Sequence, residues 1–160
     1  MSVFKSTFSR ALEVIKSNYA DVPFPAIVKS GTATGVGIDQ LVDSAGNFIN
    51  AGVKTGDIVY NTTAGFAATV VSVTSATVIV LNTSIFGSAG DEYTIYQASP
   101  QTTIGNQGCF VVGGSAGSFK VTTIGQDVVT FLYVPAGTTL PVQVIRVHEE
   151  STAGSIVALW

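Results

Sequence analysis

Ser115, Asp127 and His148 are the residues with which this sequence could do chemistry. They follow one another in the chain order of an α/β-hydrolase triad, and Gly113-Gly114-Ser115-Ala116-Gly117 fits the Gly-x-Ser-x-Gly pattern of a nucleophile elbow. An elbow needs a strand that enters the turn and a helix that leaves it. Here the turn feeds Ser118-Phe119-Lys120-Val121-Thr122-Thr123, a second strand pattern, and a chain of 160 residues poor in helices is too short for that fold. The expectation is a glycine-rich hairpin loop beside a surface Asp and His, with no catalytic residues.

The remaining candidates yield to simpler readings in the same way. His148, the one histidine, adjoins Glu149 and Glu150, but neighbours along a strand point to opposite faces and do not converge on one cation. Asp43-Ser44-Ala45-Gly46-Asn47 has the first half of a calcium loop without its distal Glu, and a β-turn accounts for each residue. Cys109 is alone, so no intrachain disulfide or cysteine metal cluster forms, and Gly-Cys-Phe-Val-Val is the setting of a small apolar strand residue. Asn61-Thr62-Thr63 and Asn82-Thr83-Ser84 match the glycosylation sequon, which is without meaning in a bacterial product. Phe66, Phe86, Tyr93, Tyr96 and Tyr133 offer rings that stack on sugars, although core and interface packing is the commoner use. No metal and no cofactor is expected.

Those residues must be positioned by β-structure. Charged residues are only 11% of the chain against 46% hydrophobic, with much Thr, Ser and Gly besides. A surface so poor in charge favours self-association or burial in a host assembly. A net charge of −3 gives no drive toward nucleic acid, and no apolar run is long enough to span a bilayer. The opening Met-Ser-Val-Phe-Lys-Ser lacks the apolar core of a signal peptide, which fits a product of the bacterial cytoplasm.

The predicted fold is all-β: two small β-barrel or β-sandwich modules, residues 26–98 and 101–160, preceded by a short N-terminal arm or helix over residues 1–25. Phe4, Phe8, Leu12, Ile15 and Tyr19 have helical spacing, while Pro23-Phe24-Pro25 suits an extended arm lying on a neighbour. The arm gathers Lys5, Arg10 and Lys16 and is expected to attach the protein while residues 26–160 fold without it. In the first module Ala67–Val73 and Thr77–Leu81 read as a hairpin and Tyr93–Tyr96 as a closing strand; Gly56 is free to take positive φ, and Asp57 to cap that turn. Ser99-Pro100-Gln101-Thr102 reads as the boundary. Strands follow at Cys109–Val112, Ser118–Thr123, Val128–Val134, Val142–Val147 and Ile156–Trp160, the last tucked into a sheet or an interface.

Two stretches resemble small virion proteins of tailed bacteriophages, particularly phages of cyanobacteria and other aquatic bacteria. The first runs from Leu41-Val42-Asp43 through Ala51-Gly52-Val53-Lys54-Thr55-Gly56-Asp57-Ile58-Val59-Tyr60-Asn61-Thr62-Thr63 and Ala68–Val73 to Glu92-Tyr93-Thr94-Ile95-Tyr96. The second is Leu140-Pro141-Val142-Gln143-Val144-Ile145-Arg146-Val147 with Thr152-Ala153 and Ile156-Val157-Ala158-Leu159-Trp160. His148-Glu149-Glu150 departs from the more neutral residues of that pattern. The resemblance implies a non-enzymatic virion protein made in the host cytoplasm, a homotrimer contacting the major capsid protein or other virion proteins. Head decoration through the N-terminal arm leads, and the alternative is a spike, fibre or tail component that binds carbohydrate. The expected assembly contacts are Phe4, Phe8, Leu12, Phe24, Leu159 and Trp160.

Overall fold

The computed structural model describes residues 8–98 and 108–160. The chain is all-β, and every strand pairing among the described residues is antiparallel. In chain order the elements are β1 (Ala11–Glu13), β2 (Ile27–Thr32), β3 (Gly35–Gly37), β4 (Gln40–Val42), the helical turn α1 (Phe48–Ala51), β5 (Ile58–Asn61), β6 (Phe66–Val73) and β7 (Val78–Leu81). There follow β8 (Glu92–Tyr96), β9 (Phe110–Gly113), β10 (Gly117–Thr123), β11 (Val128–Val134), β12 (Val144–Val147) and β13 (Ile156–Leu159).

Residues 27–96 form one seven-stranded sheet in the order β2-β8-β5-β6-β7-β4-β3. Its two end strands are consecutive in sequence, and no ladder joins them, so the sheet curls without closing into the barrel that was one of the two expected forms. Alternation places Leu41, Val59, Ile79, Leu81, Tyr93 and Ile95 on the buried side. Between the Asp43–Asn47 turn and the turn at Gly56-Asp57 the chain makes α1, bounded by Asn47 and Gly52 in left-handed conformations, and drops Phe48 into that core against Tyr93. The turn before β5 behaves as its residues predict: Gly56 has φ +95°, and Asp57 accepts from the Lys54 N–H at 2.9 Å.

The remaining strands form two three-stranded sheets, β1-β13-β9 and β11-β10-β12, around a core of Val111, Phe119, Val121, Val144, Ile156 and their neighbours. A bridge between Cys109 and Val144 joins the two sheets at one seam of this sandwich-like unit. One of its strands comes from the segment assigned to a separate arm, so the expected division into residues 1–25 and 101–160 does not describe the packing. The expected boundary at 99–102 lies outside the described residues.

Residues 8–25 are extended rather than helical. β1 pairs with β13, and the Ser17 and Val22 N–H groups then donate to Val147 and Ile145 across the outer edge of β12. Val14 and Val22 enter the core of the sandwich, whereas Leu12, Ile15 and Ala20 pack against Ile58, Tyr60 and Ala67 of the seven-stranded sheet. A segment clamped between two layers buries side chains on both sides, so helical spacing is no guide to its backbone. Residues 8–25 are thus part of the packing of both units and not an arm standing apart from them.

Candidate assembly surface

The residues with chemical potential are occupied structurally. Ser115 Oγ accepts from the Gly154 N–H at 2.8 Å, whereas His148 places its two ring nitrogens 2.8 Å from Thr122 Oγ1 and 3.1 Å from Asn18 Oδ1. Neither ring nitrogen is left to activate Ser115, and Asp127 engages Thr123 through its backbone. Partial burial, with help from the Lys120 and Arg146 charges, lowers the His148 pKa from its ordinary value. Glu150 is held below the usual carboxylate range by its 2.6 Å contact with Lys120, and Glu149 accepts from the Asn18 N–H. These three neighbours are engaged by Asn18, Thr122 and Lys120, and among the described residues no His, Cys, Asp and Glu side chains cluster as metal ligands.

Asp43 is buried, with Oδ1 accepting from the Ala45 N–H at 2.8 Å and Oδ2 from the Tyr93 hydroxyl at 2.6 Å, which makes it a turn residue tied to the core. Asn61 is also buried: its amide donates to Ile85 O and Asp91 Oδ2 while its oxygen accepts two turn N–H groups. Burial pushes the Cys109 thiol up to about 12.

Five of the six expected assembly residues lie among the described ones, and they meet one another's neighbourhoods within this chain. Phe8 packs on Phe110 with centroids 5.7 Å apart. Phe24 meets Trp160 edge-on at 6.1 Å, and Arg10 lies over the Phe24 ring at 5.1 Å. Leu159 pairs with Ala11, and Leu12 faces the Tyr60 cluster. They make an internal clasp. Phe4 lies outside the described residues.

Exposed apolar side chains gather on β11, beside single ones such as Ile27, Val36 and Ile38 on other elements. This strand, Val-Val-Thr-Phe-Leu-Tyr-Val, is the outermost of its sheet and carries no charge. Its pairing with β10 slips near the end: Gly117 faces Val134 and Phe119 faces Phe131, which leaves Leu132 and Tyr133 opposite Ser118 alone. This bulge puts Tyr133 at φ +56° and turns both side chains outward, 65% and 91% exposed. They border an open cleft of about 550 Å³ whose other wall includes Ser118, Pro135 and Thr152. Of the five aromatic residues considered for sugar stacking, Phe86 and Tyr93 are buried, Tyr96 packs against Tyr60, and Phe66 and Tyr133 are exposed. The uncharged run Val128–Val134 was visible in the sequence; the bulge was not, because no glycine marks it.

No protein-family model matches the chain, and no curated protein or solved structure matches it significantly.

Proposed function

We propose that this chain is a non-enzymatic structural protein of a tailed-phage virion, repeated on the particle, with head decoration as its leading position. The observation that carries the reading is the open, uncharged face of β11, on a chain with few charges to keep copies apart. The sequence resemblance supports it, as does the structural use of Ser115, His148 and Asp43. Self-association is part of the proposal, with the three-fold form implied by the resemblance as its starting expectation. Residues 8–25 serve as a built-in clasp in this reading, and attachment falls to exposed strand edges and tips such as Ile38, 87% exposed on the β3–β4 turn.

Ser115→Ala and His148→Ala should leave the particle incorporation of the protein unchanged and abolish no esterase activity. Reproducible hydrolysis lost in both variants would overturn the structural reading. The alternative, a carbohydrate-binding spike, fibre or tail module, draws on Tyr133 standing beside the Ser118 and Thr152 hydroxyls. Titration with host surface glycans separates the two readings, because decoration requires no such affinity.

A further inference from the structure

We propose that β11 is the seam at which a second copy of this chain adds its own β11, antiparallel about a two-fold axis near Phe131. The inference rests on the self-association reading, names its surface and puts a two-fold pair in place of the three-fold form that the resemblance implies. Two other edges of the sandwich are covered, residues 17–22 bonding to β12 and Gly137 and Leu140 donating to Gly113 and Val111 along β9, and the remaining edge strand, β1, is only three residues long. By contrast, no described element other than β10 exchanges backbone hydrogen bonds with residues 128–134. A seven-residue edge leaves about three N–H and three C=O groups pointing outward, a ready template for strand addition.

The occupant follows from charge and area. Natural edge strands are guarded by bulges, short length, lysines or prolines, and the one bulge of β11 lies at its Leu132–Tyr133 end, leaving Val128–Phe131 in regular register. β11 has neither residue type, and it equals the longest strand of its unit. Two-fold pairing about Phe131 sets Val128 against Val134, Val129 against Tyr133 and Thr130 against Leu132, all of them uncharged. An acidic or basic partner would find no complement on it. The exposed parts of Val128, Val129, Leu132 and Tyr133 amount to roughly 450 Å² per copy, if a full side chain offers on the order of 150–200 Å². Edge pairing covers only part of that surface, so two copies bury at most about 900 Å² of side chain, and with the paired backbones the interface stands at or below the ~1,200 Å² low end of specific interfaces, as for a weak dimer. The bulge contributes by turning Leu132 and Tyr133 outward together, at the cost of an unfavourable φ for tyrosine.

The test is sedimentation of the full chain from 1 to about 100 μM, with hydrogen exchange followed at residues 128–134. A dimer whose β11 amides become protected as concentration rises is expected. Val128→Lys/Leu132→Lys should shift it at least tenfold in concentration toward monomer, and Tyr133→Gly should weaken it without loss of melting temperature. Because Tyr133→Gly relieves strain, it stays informative if the lysine pair fails to fold. An oligomer, trimer included, that both variants leave intact overturns the β11 seam while sparing self-association. A wild-type monomer throughout the range defeats self-association itself, and glycan binding by that monomer at Tyr133 would give the strand to the carbohydrate reading.

Discussion

Phe24 and Trp160, far apart in sequence, meet edge to face with their ring centroids 6.1 Å apart and their planes at 75°. The contact closes a clasp in which Trp160 and Arg10 exchange backbone hydrogen bonds and Arg10 lies over the Phe24 ring. An aromatic pair of this geometry adds about 0.5–1.5 kcal/mol beyond the area it buries. Trp160→Ala should therefore cost about 2 kcal/mol in urea unfolding. Deleting residues 1–25 should cost much more, because it uncovers Val144 and Tyr60 and strips the edge of β12. A truncated chain with an unchanged melting temperature would show that the clasp adds nothing.

Tyr93→Phe keeps the shape of the core and removes the donor that Asp43 Oδ2 receives at 2.6 Å. The carboxylate stays buried with one oxygen unpaired, so a loss of about 1–3 kcal/mol is expected in equilibrium unfolding. Stability equal to wild type would mean that the bond contributes nothing net.

Tyr133 holds a left-handed φ that glycine adopts without penalty, and its nearly free ring gives up few contacts. Tyr133→Gly should stabilise the monomer by up to about 1 kcal/mol, read at a concentration where no oligomer forms. A clear loss of stability would place the ring in packing that its exposure denies.

The His148 ring faces Lys120, Arg146, Glu150 and Asp21, and its pKa lies below the ordinary 6.5. Its native state thus resists protonation more than its unfolded state does. The contribution is full above about pH 6.5 and is lost as pH falls from there through the lowered native value. Melting temperature should drop on that acid limb, and His148→Gln should flatten the limb while Glu150, titrating lower, remains. A His148→Gln profile parallel to wild type would assign the acid limb to other groups.

Cys109 is buried, with a thiol pKa pushed up to about 12. Alkylation at pH 8 should be negligible in the native protein and rapid in denaturant. Prompt native labelling would show that the β9–β12 seam opens.

Much of this fold was legible because strand and turn chemistry are local. Val128–Val134 coincides with β11 to the residue, and the hairpin of β6 and β7 matches Ala67–Val73 and Thr77–Leu81 to within a residue. The failures are non-local. Nothing near Leu12 or Val14 says that two layers will close on them, and apolar residues at mixed spacing imitate a helix face. Phe8, Leu12, Phe24, Leu159 and Trp160 were singled out as assembly contacts, and sequence did not say that each would also meet a partner within the chain, with Phe8 left 39% exposed. The open edge of β11 had a signal in its missing charge, whereas the outward turn of Leu132 and Tyr133 depends on a register slip against Ser118.

The proposal that this chain is a repeated structural component of a tailed-phage virion is tested most directly by its place and copy number in the purified particle. Reconstruction of the virion, with quantitative peptide analysis of the same preparation, should find density for this sandwich at positions that recur over the head lattice, in many copies per particle. A few copies at a spike or tail tip would favour the carbohydrate-binding alternative, and absence from purified particles would contradict the account.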